Sequence, residues 1–383
     1  MIRWSRLPRV GLPARSAIIS GLVTGLCMPG DAVLYAVLPV YYDKLGVSAI
    51  TVGMALAANR LIRMIAYMPI GALVRKLGAR NSLAVAVLLT VVATIGYGAT
   101  GNDWAFVLMR ILWGLAYGML MLAGTLVIAE SDTKRGTRFG IKIGVGPIIP
   151  TLALFSSGWL IDRFGLEGTF YLFGVWAAIG FGLLPLLRPT RAVVSERHAL
   201  LPRLNGTTAT FLCIGFSTTA FVVALPIALE QALGAKEAVA WAGVTLGLRQ
   251  FAFILIPPLA GPLIDRVGPK PVIVGVAVSV VVGLLALVEN WYVLGSTLII
   301  VGFAAFGPSG SVLATRNDSL NDLSASHALL DLGTGVAPLF ISLLPFIGLD
   351  IFLLAAAGIA AVPIALQVPL ADIWRRMIMP EPI

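Results

Sequence analysis

The strongest constraint on this chain is a series of apolar windows, each long enough to cross the roughly 30 Å hydrocarbon core of a bilayer. Hydrophobic residues make up 58% of the 383 residues and charged residues only 12%, which is far from the composition of soluble proteins. The sequence therefore predicts an all-α, multi-pass membrane protein. Twelve windows, numbered helix 1 to helix 12, span approximately residues 16–41, 48–74, 80–100, 104–129, 138–160, 168–188, 206–230, 237–261, 270–288, 291–315, 324–347 and 350–370.

The connections between these windows are short except for one polar and basic stretch. We therefore expect an N-terminal six-helix half over residues 1–187, a linker over 188–205 and a C-terminal six-helix half over 206–383. The halves also repeat, because residues 71–78 (GALVRKLG) align without gaps to residues 261–268 (GPLIDRVG), at an offset of 190. Parallel repeats of this kind imply a pseudo-two-fold axis along the membrane normal, with cargo bound between the halves.

The basic residues predict the orientation. If the N-terminus is cytoplasmic, the even-numbered connections and both tails carry nineteen of the 27 Lys and Arg, whereas the odd-numbered connections carry three. The positive-inside rule then predicts both termini in the cytoplasm. We expect a plasma membrane location, in bacteria the inner membrane, and a monomer. The net charge of +9 is explained by topology and by membrane lipids as partners, without nucleic acid.

Several motifs resemble the major facilitator superfamily of secondary transporters, across essentially the whole chain. Residues 261–270 carry the G-x-L-x-D-R-x-G-x-K signature, but the first copy has Arg75 where the family has aspartate. In the family this aspartate helps to lock the cytoplasmic side, so the resemblance implies that the lock here is built otherwise or is weaker. It also assigns a gating role to Asp265.

Two further motifs concern coupling and direction. Arg110 and Gly114 of helix 4 resemble the family's R-x-x-x-G element, whose arginine is linked to proton coupling. Helix 5 carries a G-x-G-P element at residues 144–147, similar to that of antiporters, although Pro150 and Thr151 replace the glycine pair expected next. The resemblance to drug and metabolite exporters is therefore partial, and it favours export.

Five basic residues lie inside the apolar windows, and only Asp31 and Asp331 offer opposite charge at comparable depth; the five are Arg60, Arg63, Arg110, Lys142 and Arg249. A charge at membrane depth costs at least a few kcal/mol unless it faces water, a partner or a substrate. The interior is thus net positive, and we expect a small-molecule substrate that is at least partly anionic.

Depth along the helices predicts one pair. Asp31 lies roughly 15 Å of helix from the outer end of helix 1, and Arg110 reaches a comparable depth from the outer end of helix 4. The two form either a proton-coupling pair, with protons as a partner, or a static ion pair that only satisfies two buried charges. Tyr35, one turn beyond Asp31, either lines the same cavity and binds cargo or belongs to ordinary packing.

The candidate substrate ligands occupy helices 2 and 8. Arg60 and Arg63 share one face of helix 2 next to Asn59, and the repeat alignment places Arg249 and Gln250 at the equivalent depth of helix 8. Guanidinium groups suit bidentate binding of carboxylate or phosphate. The alternative for these arginines is that they snorkel or pair within the protein.

Other polar residues have competing interpretations. Arg63 is also a candidate to close the cytoplasmic side by an ion pair with Asp331, in place of the aspartate missing at Arg75. Lys142 is expected to snorkel to the cytoplasmic surface, and His327 to lie at the surface near a helix end. Trp113, Tyr117 and Met121 continue the helix 4 pattern at a spacing that is more typical of core than of a binding wall.

These observations predict a secondary active transporter that works by alternating access and exports a small anionic or zwitterionic metabolite, such as a siderophore, an organic acid or a drug-like molecule, coupled to protons. An uptake symporter or a lipid flippase of the same fold is the alternative. A membrane-embedded lipid-modifying transferase is an alternative of another class. No nucleotide-binding or metalloprotease motif is present, so we expect no enzyme, no cofactor and no metal site.

Overall fold

The structure, a computed structural model, describes residues 12–129, 134–187, 201–316 and 320–367. Most of the predicted linker, residues 188–200, lies outside the described residues. Every regular element in the described ranges is helical. The helices of the N-terminal half are helix 1 (Leu12–Cys27 and Pro29–Tyr41), helix 2 (Ala49–Leu77), helix 3 (Ala79–Ala99), helix 4 (Asp103–Ala129), helix 5 (Arg135–Val145, then 148–164) and helix 6 (166–183).

The C-terminal half continues the series with a similar arrangement. Its helices are helix 7 (Gly206–Leu233), helix 8 (Ala235–Val267), helix 9 (Pro269–Val288), helix 10 (Tyr292–Ala314), helix 11 (Leu320–Val336, followed by a 3₁₀ segment Ala337–Leu343 and Leu344–Ile347) and helix 12 (Leu349–Gln367).

Length and composition support the membrane assignment. Within the described ranges, nine helices are long and apolar enough to cross a membrane. One of them, Arg135–Leu186, contains two crossings, because Gly165 (φ 72°, ψ 171°) breaks the helical backbone between helices 5 and 6. Helix 2 with its charged residues and the 17-residue Leu320–Val336 complete the twelve. The predicted all-α membrane fold is confirmed.

Three predicted helices are interrupted. Helix 1 breaks at Met28, helix 5 at Gly146 and Pro147, and helix 11 changes to a 3₁₀ segment at Ala337. A proline follows or occupies each break, and proline removes a backbone donor and clashes with the preceding turn. Irregular backbone at membrane depth is tolerated where protein or a cavity surrounds it.

The repeat seen in the sequence recurs in the backbone. Gly78 ends helix 2 with φ 75° and ψ 161°, and Gly268 ends helix 8 with φ 84° and ψ 165°. A residue that carries a side chain rarely adopts a positive φ, so glycine is needed at both sharp turns. The two connections that align in sequence therefore also have the same conformation.

The halves pack extensively against each other at one end of the bundle. We call the end that contains Gly78 and Gly268 the closed end, and the end that contains Gly46 and Gly234 the open end. Helix 5 packs on helix 8 through Arg135–Val145, and helix 2 packs on helix 11. Among the described residues, the pieces of helices 1 and 5 nearer the open end have no comparable partner in the other half.

Glycines permit this approach of the backbones. A Cβ at Gly136 would meet the carbonyl of Gly261, and a Cβ at Gly140 would meet the carbonyl of Pro257. Small residues allow close packing of membrane helices in this way. The backbones of helices 5 and 8 are therefore in close contact at the closed end.

Candidate functional site

A buried ion pair lies inside the N-terminal half. Arg110 Nη1 donates to Asp31 Oδ1 at 2.5 Å, and the Arg110 side chain is fully buried. The same guanidinium group donates to the Ala55 carbonyl at 3.0 Å, to the Tyr97 hydroxyl at 3.2 Å and to the Tyr35 hydroxyl at 3.3 Å. The pairing expected from depth is present, and every part of this arginine is engaged by helices 1, 2 and 3.

Asn59 connects this pair to the rest of helix 2. Its Nδ2 lies 3.5 Å from Asp31 Oδ1 and 3.4 Å from the Tyr35 hydroxyl, and its Oδ1 accepts from Arg63 Nη1 at 3.0 Å. The residue is almost completely buried. A buried amide with donors on one side and an acceptor on the other is satisfied only while both neighbours stay in place.

Arg63 forms the second ion pair, which joins the two halves. Its Nε donates to Asp331 Oδ2 at 2.7 Å and its Nη2 to Asp331 Oδ1 at 3.2 Å. Its guanidinium carbon lies 4.5 Å from the centre of the Tyr117 ring. Both ionic side chains are about nine-tenths buried, with 10% and 11% exposed. The bridge from helix 2 to helix 11 that the sequence predicted is thus present in the structure.

The two ion pairs are members of one continuous polar chain. The order is Arg110, Asp31, Asn59, Arg63 and Asp331, and each neighbour is within hydrogen-bond distance of the next. The chain begins inside the N-terminal half and ends on the opposite half. A change in charge at Asp31 therefore has a direct physical route to the contact between the halves.

Further contacts hold the closed end. Asp265 Oδ1 accepts from the Gly136 backbone amide at 2.7 Å, and Oδ2 accepts from the Thr137 amide at 2.9 Å. A carboxylate at the first turn of helix 5 is favoured by the free amides and the helix dipole there. In the first copy of the motif, Arg75 Nη2 donates to Asn321 Oδ1 at 3.0 Å across the halves. An arginine thus makes a contact between the halves at the position where an aspartate was expected.

Arg60 and Arg249 differ from the other arginines. Both are only partly buried, and within the described residues neither has a hydrogen bond or an ion pair to the protein. Arg249 lies over two aromatic rings, 5.3 Å from the centre of Phe253 and 5.7 Å from that of Phe303. The two guanidinium groups, one on each half, are near enough to interact electrostatically.

A cavity of about 240 Å³ lies between the halves. Helices 1, 4 and 5 of the N-terminal half form most of its wall, and Gln250 comes from helix 8. Of the predicted substrate ligands, only Gln250 is among the lining residues, which are Thr24, Met28, Ala32, Tyr117, Met121, Lys142, Ile143, Gly146, Pro147, Pro150 and Gln250. The substrate roles of Arg60, Arg63, Arg249, Tyr35 and Asn59 stay predictions.

The expectation for Lys142 was wrong. Lys142 does not reach the surface but is buried, and its Nζ donates to Thr125 Oγ1 at 3.2 Å. Helix 5 begins at Arg135, earlier than predicted, so Lys142 lies about two turns inside it. Gly124 of helix 4 leaves the space that the ammonium group occupies, since a Cβ there would lie 3.0 Å from the Lys142 Nζ.

The expectation for His327 was also wrong. Its ring stacks on Tyr67 of helix 2 at 5.6 Å and meets Phe211 of helix 7 at 6.2 Å. Packing of helix 11 against helix 2 covers a histidine that its position near a helix end had placed at the surface. The residue therefore belongs to the contact between the halves.

Tyr117 and Met121 are lining residues that the sequence pattern assigned to the core. Trp113, one turn earlier, does belong to the core and is 1% exposed. This face of helix 4 thus changes from core packing to cavity lining within one turn. The available signal was the interruption of helix 5 at Pro147, because Gly146, Pro147 and Pro150 line the same cavity.

Comparison with protein families and curated proteins gives a consistent assignment. The sequence profile described as Major Facilitator Superfamily matches residues 20–206. Multidrug resistance protein MdtG of Salmonella choleraesuis (strain SC-B67) is 26% identical over 311 residues, which cover 76% of this chain and 74% of that protein. MdtG of Salmonella newport (strain SL254) matches with the same identity and coverage.

Solved structures share the fold. The human organic anion transporter MFSD10 (TETRAN) superposes with a TM-score of 0.72 at 13% identity, covering 93% of this chain and 99% of that one. A bacterial homologue of the iron transporter ferroportin in an outward-facing state gives 0.70 at 16% identity, with 92% and 99% covered. The proton:xylose symporter XylE gives 0.61 at 18% identity, with 97% and 96% covered.

Proposed function

Because the chain belongs to the major facilitator superfamily and is a multi-pass membrane transporter, we propose that it exports small anionic or zwitterionic metabolites in exchange for protons. The observation that carries this proposal is the polar chain from Arg110 and Asp31 through Asn59 to Arg63 and Asp331. It connects an ionisable carboxylate to the contact that holds the halves together. Export is supported by the antiporter-like motif of helix 5 and by the multidrug resistance named for the Salmonella relatives.

The proposed orientation follows from the basic connections and tails. The closed end is cytoplasmic, both termini lie on that side, and the membrane is the inner membrane of a bacterium. The structure then represents an outward-open state. Gating residues at the cytoplasmic side are Arg63 with Asp331, and Asp265 with the start of helix 5.

The proposed cycle starts when a proton enters from the open end and neutralises Asp31. The carboxyl group then holds Arg110 and Asn59 less strongly, because charge-assisted hydrogen bonds are about twice as strong as neutral ones. Asn59 is free to turn away from Arg63, which loses one of its three hydrogen bonds near the gate. The closed end loosens, substrate enters from the cytoplasm, and the proton leaves there.

Arg60 and Arg249 are proposed to attract the substrate that enters from the open end. They come from opposite halves and are without carboxylate partners in the described part of the chain. An anion that bridges them lowers their mutual repulsion. The same observation favours a second candidate of the same fold, an uptake symporter, in which the anion and the proton enter together.

The test uses everted membrane vesicles in which respiration acidifies the interior and quenches a pH-sensitive dye. Aromatic carboxylates, hydroxy acids and zwitterionic amphiphiles are added in turn. Exchange for protons predicts recovery of fluorescence with at least one of them. Recovery is expected to disappear in Asp31→Asn, which keeps hydrogen-bonding capacity near Arg110 but cannot ionise, while the amount of folded protein is unchanged.

The matched control is Asp162→Asn, which removes an exposed carboxylate from helix 5 and is expected to behave as the unmodified protein. Retention of full proton exchange in Asp31→Asn would reject Asp31 as the coupling group. Proton movement in right-side-out vesicles with the substrate, rather than against it, would assign the symporter instead.

A further inference from the structure

We propose that Lys142 is the floor of an anion subsite, which takes the carboxylate or sulfonate head of an amphiphilic substrate and leaves its apolar body along the cavity. The proposal rests on the transport function above and names the substrate class more closely. It assigns a ligand to a residue that neither the predicted ligand set nor the family motifs include.

The first argument is the lack of a counter-ion. Lys142 is 6% exposed, and its Nζ donates to the neutral Thr125 hydroxyl at 3.2 Å. Within the described ranges no carboxylate lies within ion-pair distance of it. The two intramembrane aspartates, Asp31 and Asp331, form ion pairs with Arg110 and Arg63 instead. An ammonium group has three donors and no acceptor, and a buried charge without a partner costs several kcal/mol.

The second argument is the position of Lys142 in the cavity. Helix 5 runs from the closed end, so Lys142 is its deepest lining residue, whereas Pro150 lies eight residues nearer the open end. Thr24 of helix 1 and Met121 of helix 4 line the same space. A substrate that enters from the open end therefore meets the lysine last.

Neighbouring polar groups are also available. Tyr117 and Gln250 line the cavity, and among the described residues neither the Tyr117 hydroxyl nor the Gln250 amide has a hydrogen-bond partner in the protein. A carboxylate has two oxygens and accepts from several donors at once. Lys142 provides the charge, and these two groups provide neutral donors from both halves.

The remaining wall defines the rest of the ligand. Met28, Met121, Ile143, Pro147 and Pro150 are apolar, and thioether side chains adapt to irregular shapes. The volume of 240 Å³ equals that of about eight liquid waters at roughly 30 Å³ each. This space is enough for a bicyclic aromatic acid.

The experiment measures binding to the purified full chain in a neutral detergent by isothermal titration calorimetry. The probes are 1-naphthylacetate and its neutral amide, 1-naphthylacetamide, which have nearly the same shape. We expect the carboxylate to bind roughly 10- to 100-fold more tightly, the factor that one charge-assisted hydrogen bond supplies.

Two lysine variants locate the charge. Lys142→Met is nearly isosteric and is expected to remove the preference for the carboxylate, and since it deletes an unpaired buried charge it should not lower the melting temperature. Lys76→Met makes the same change at an exposed lysine of helix 2 and is expected to keep the preference. Met121→Trp narrows the cavity with the charge intact and is expected to abolish binding of both probes.

Equal binding of the two probes to the unmodified protein would overturn the proposal, as would an undiminished preference in Lys142→Met. If Lys142→Met does not fold, unchanged binding in Met121→Trp overturns it instead. The transport function is judged separately. If carboxylate binding depends on Lys142 but no proton exchange is seen in vesicles, proton coupling is rejected and the subsite is kept. If proton exchange is seen and Lys142→Met does not change it, the subsite is rejected and proton coupling is kept.

Discussion

Loss of the Asp331 carboxylate in Asp331→Ala is expected to disfavour the state in which the two halves are in contact at the closed end. Arg63 would remain about nine-tenths buried in that state, with Asn59 at 3.0 Å and the Tyr117 ring at 4.5 Å as its remaining partners. Breaking a buried pair by removing one partner costs about 3–5 kcal/mol. We take about 3 kcal/mol, the lower value, because the hydrogen bond between Asn59 and Arg63 remains. This energy corresponds to a factor of about 100 in the equilibrium between the two states of the closed end.

The cost falls mainly on one state. When the halves separate at the closed end, water hydrates the Arg63 side chain. Removal of Asp331 then costs much less free energy in the separated state. The variant therefore stays folded but samples the separated state about 100-fold more often.

A cysteine introduced by Ser324→Cys reports on this separation. Ser324 is 1% exposed and packs against Gly71 of helix 2, so alkylation by a maleimide requires the closed end to open. The background carries Cys27→Ala and Cys213→Ala. When opening and closing are fast, the labelling rate follows the population of the open form, and we expect an increase of about 100-fold in Asp331→Ala.

The control is Asp162→Ala, which removes an exposed carboxylate and is expected to leave the labelling rate unchanged. An equal rate in Asp331→Ala and the control would refute the reasoning, since the ion pair would then contribute nothing specific to the closed end.

Two other predictions concern the pair Arg60 and Arg249 and the contact of helix 5 with helix 8. Arg60→Gln and Arg249→Gln are each expected to raise the half-maximal concentration of anionic substrates about tenfold in the vesicle assay, because each loses one charge-assisted contact. Arg163→Gln, at an exposed position of helix 5, is expected to have no effect. Gly140→Leu is expected to speed the labelling of Ser324→Cys, because a Cβ at Gly140 would meet the Pro257 carbonyl. A Cβ at Gly182 would meet no atom within 4 Å, so Gly182→Leu is expected to leave the rate unchanged.

Much of the site was predictable because a helix rises a fixed distance per residue. Depth along helices 1 and 4 brought Asp31 and Arg110 together, and depth along helices 2 and 11 did the same for Arg63 and Asp331. Charge at membrane depth limited the search to a few residues. The sharp turns at Gly78 and Gly268 were visible as a repeated motif.

The rest depended on neighbours that a single helix does not reveal. Lys142 is buried because Gly124 on another helix leaves room for it, and His327 is covered because Tyr67 stacks on it. Asn59 connects the two ion pairs only through the rotation of helix 2 relative to helices 1 and 11. Periodicity along one helix contains none of these relations.

The sign of the charges decides how substrate and proton interact. Of the five intramembrane bases, Arg63 and Arg110 have carboxylate partners, while Arg60, Lys142 and Arg249 have none among the described residues. An anion held by these three makes the interior more negative and so favours protonation of Asp31, and linkage requires that the proton in turn favours the anion.

That cooperation suits symport, whereas exchange needs a substrate that opposes the proton. A zwitterion satisfies this requirement, since its anionic head on Lys142 and a cationic group near Asp31 would together expel the proton. Within the proposed substrate class, exchange therefore favours zwitterions with an apolar body, and a simple organic acid favours entry together with the proton.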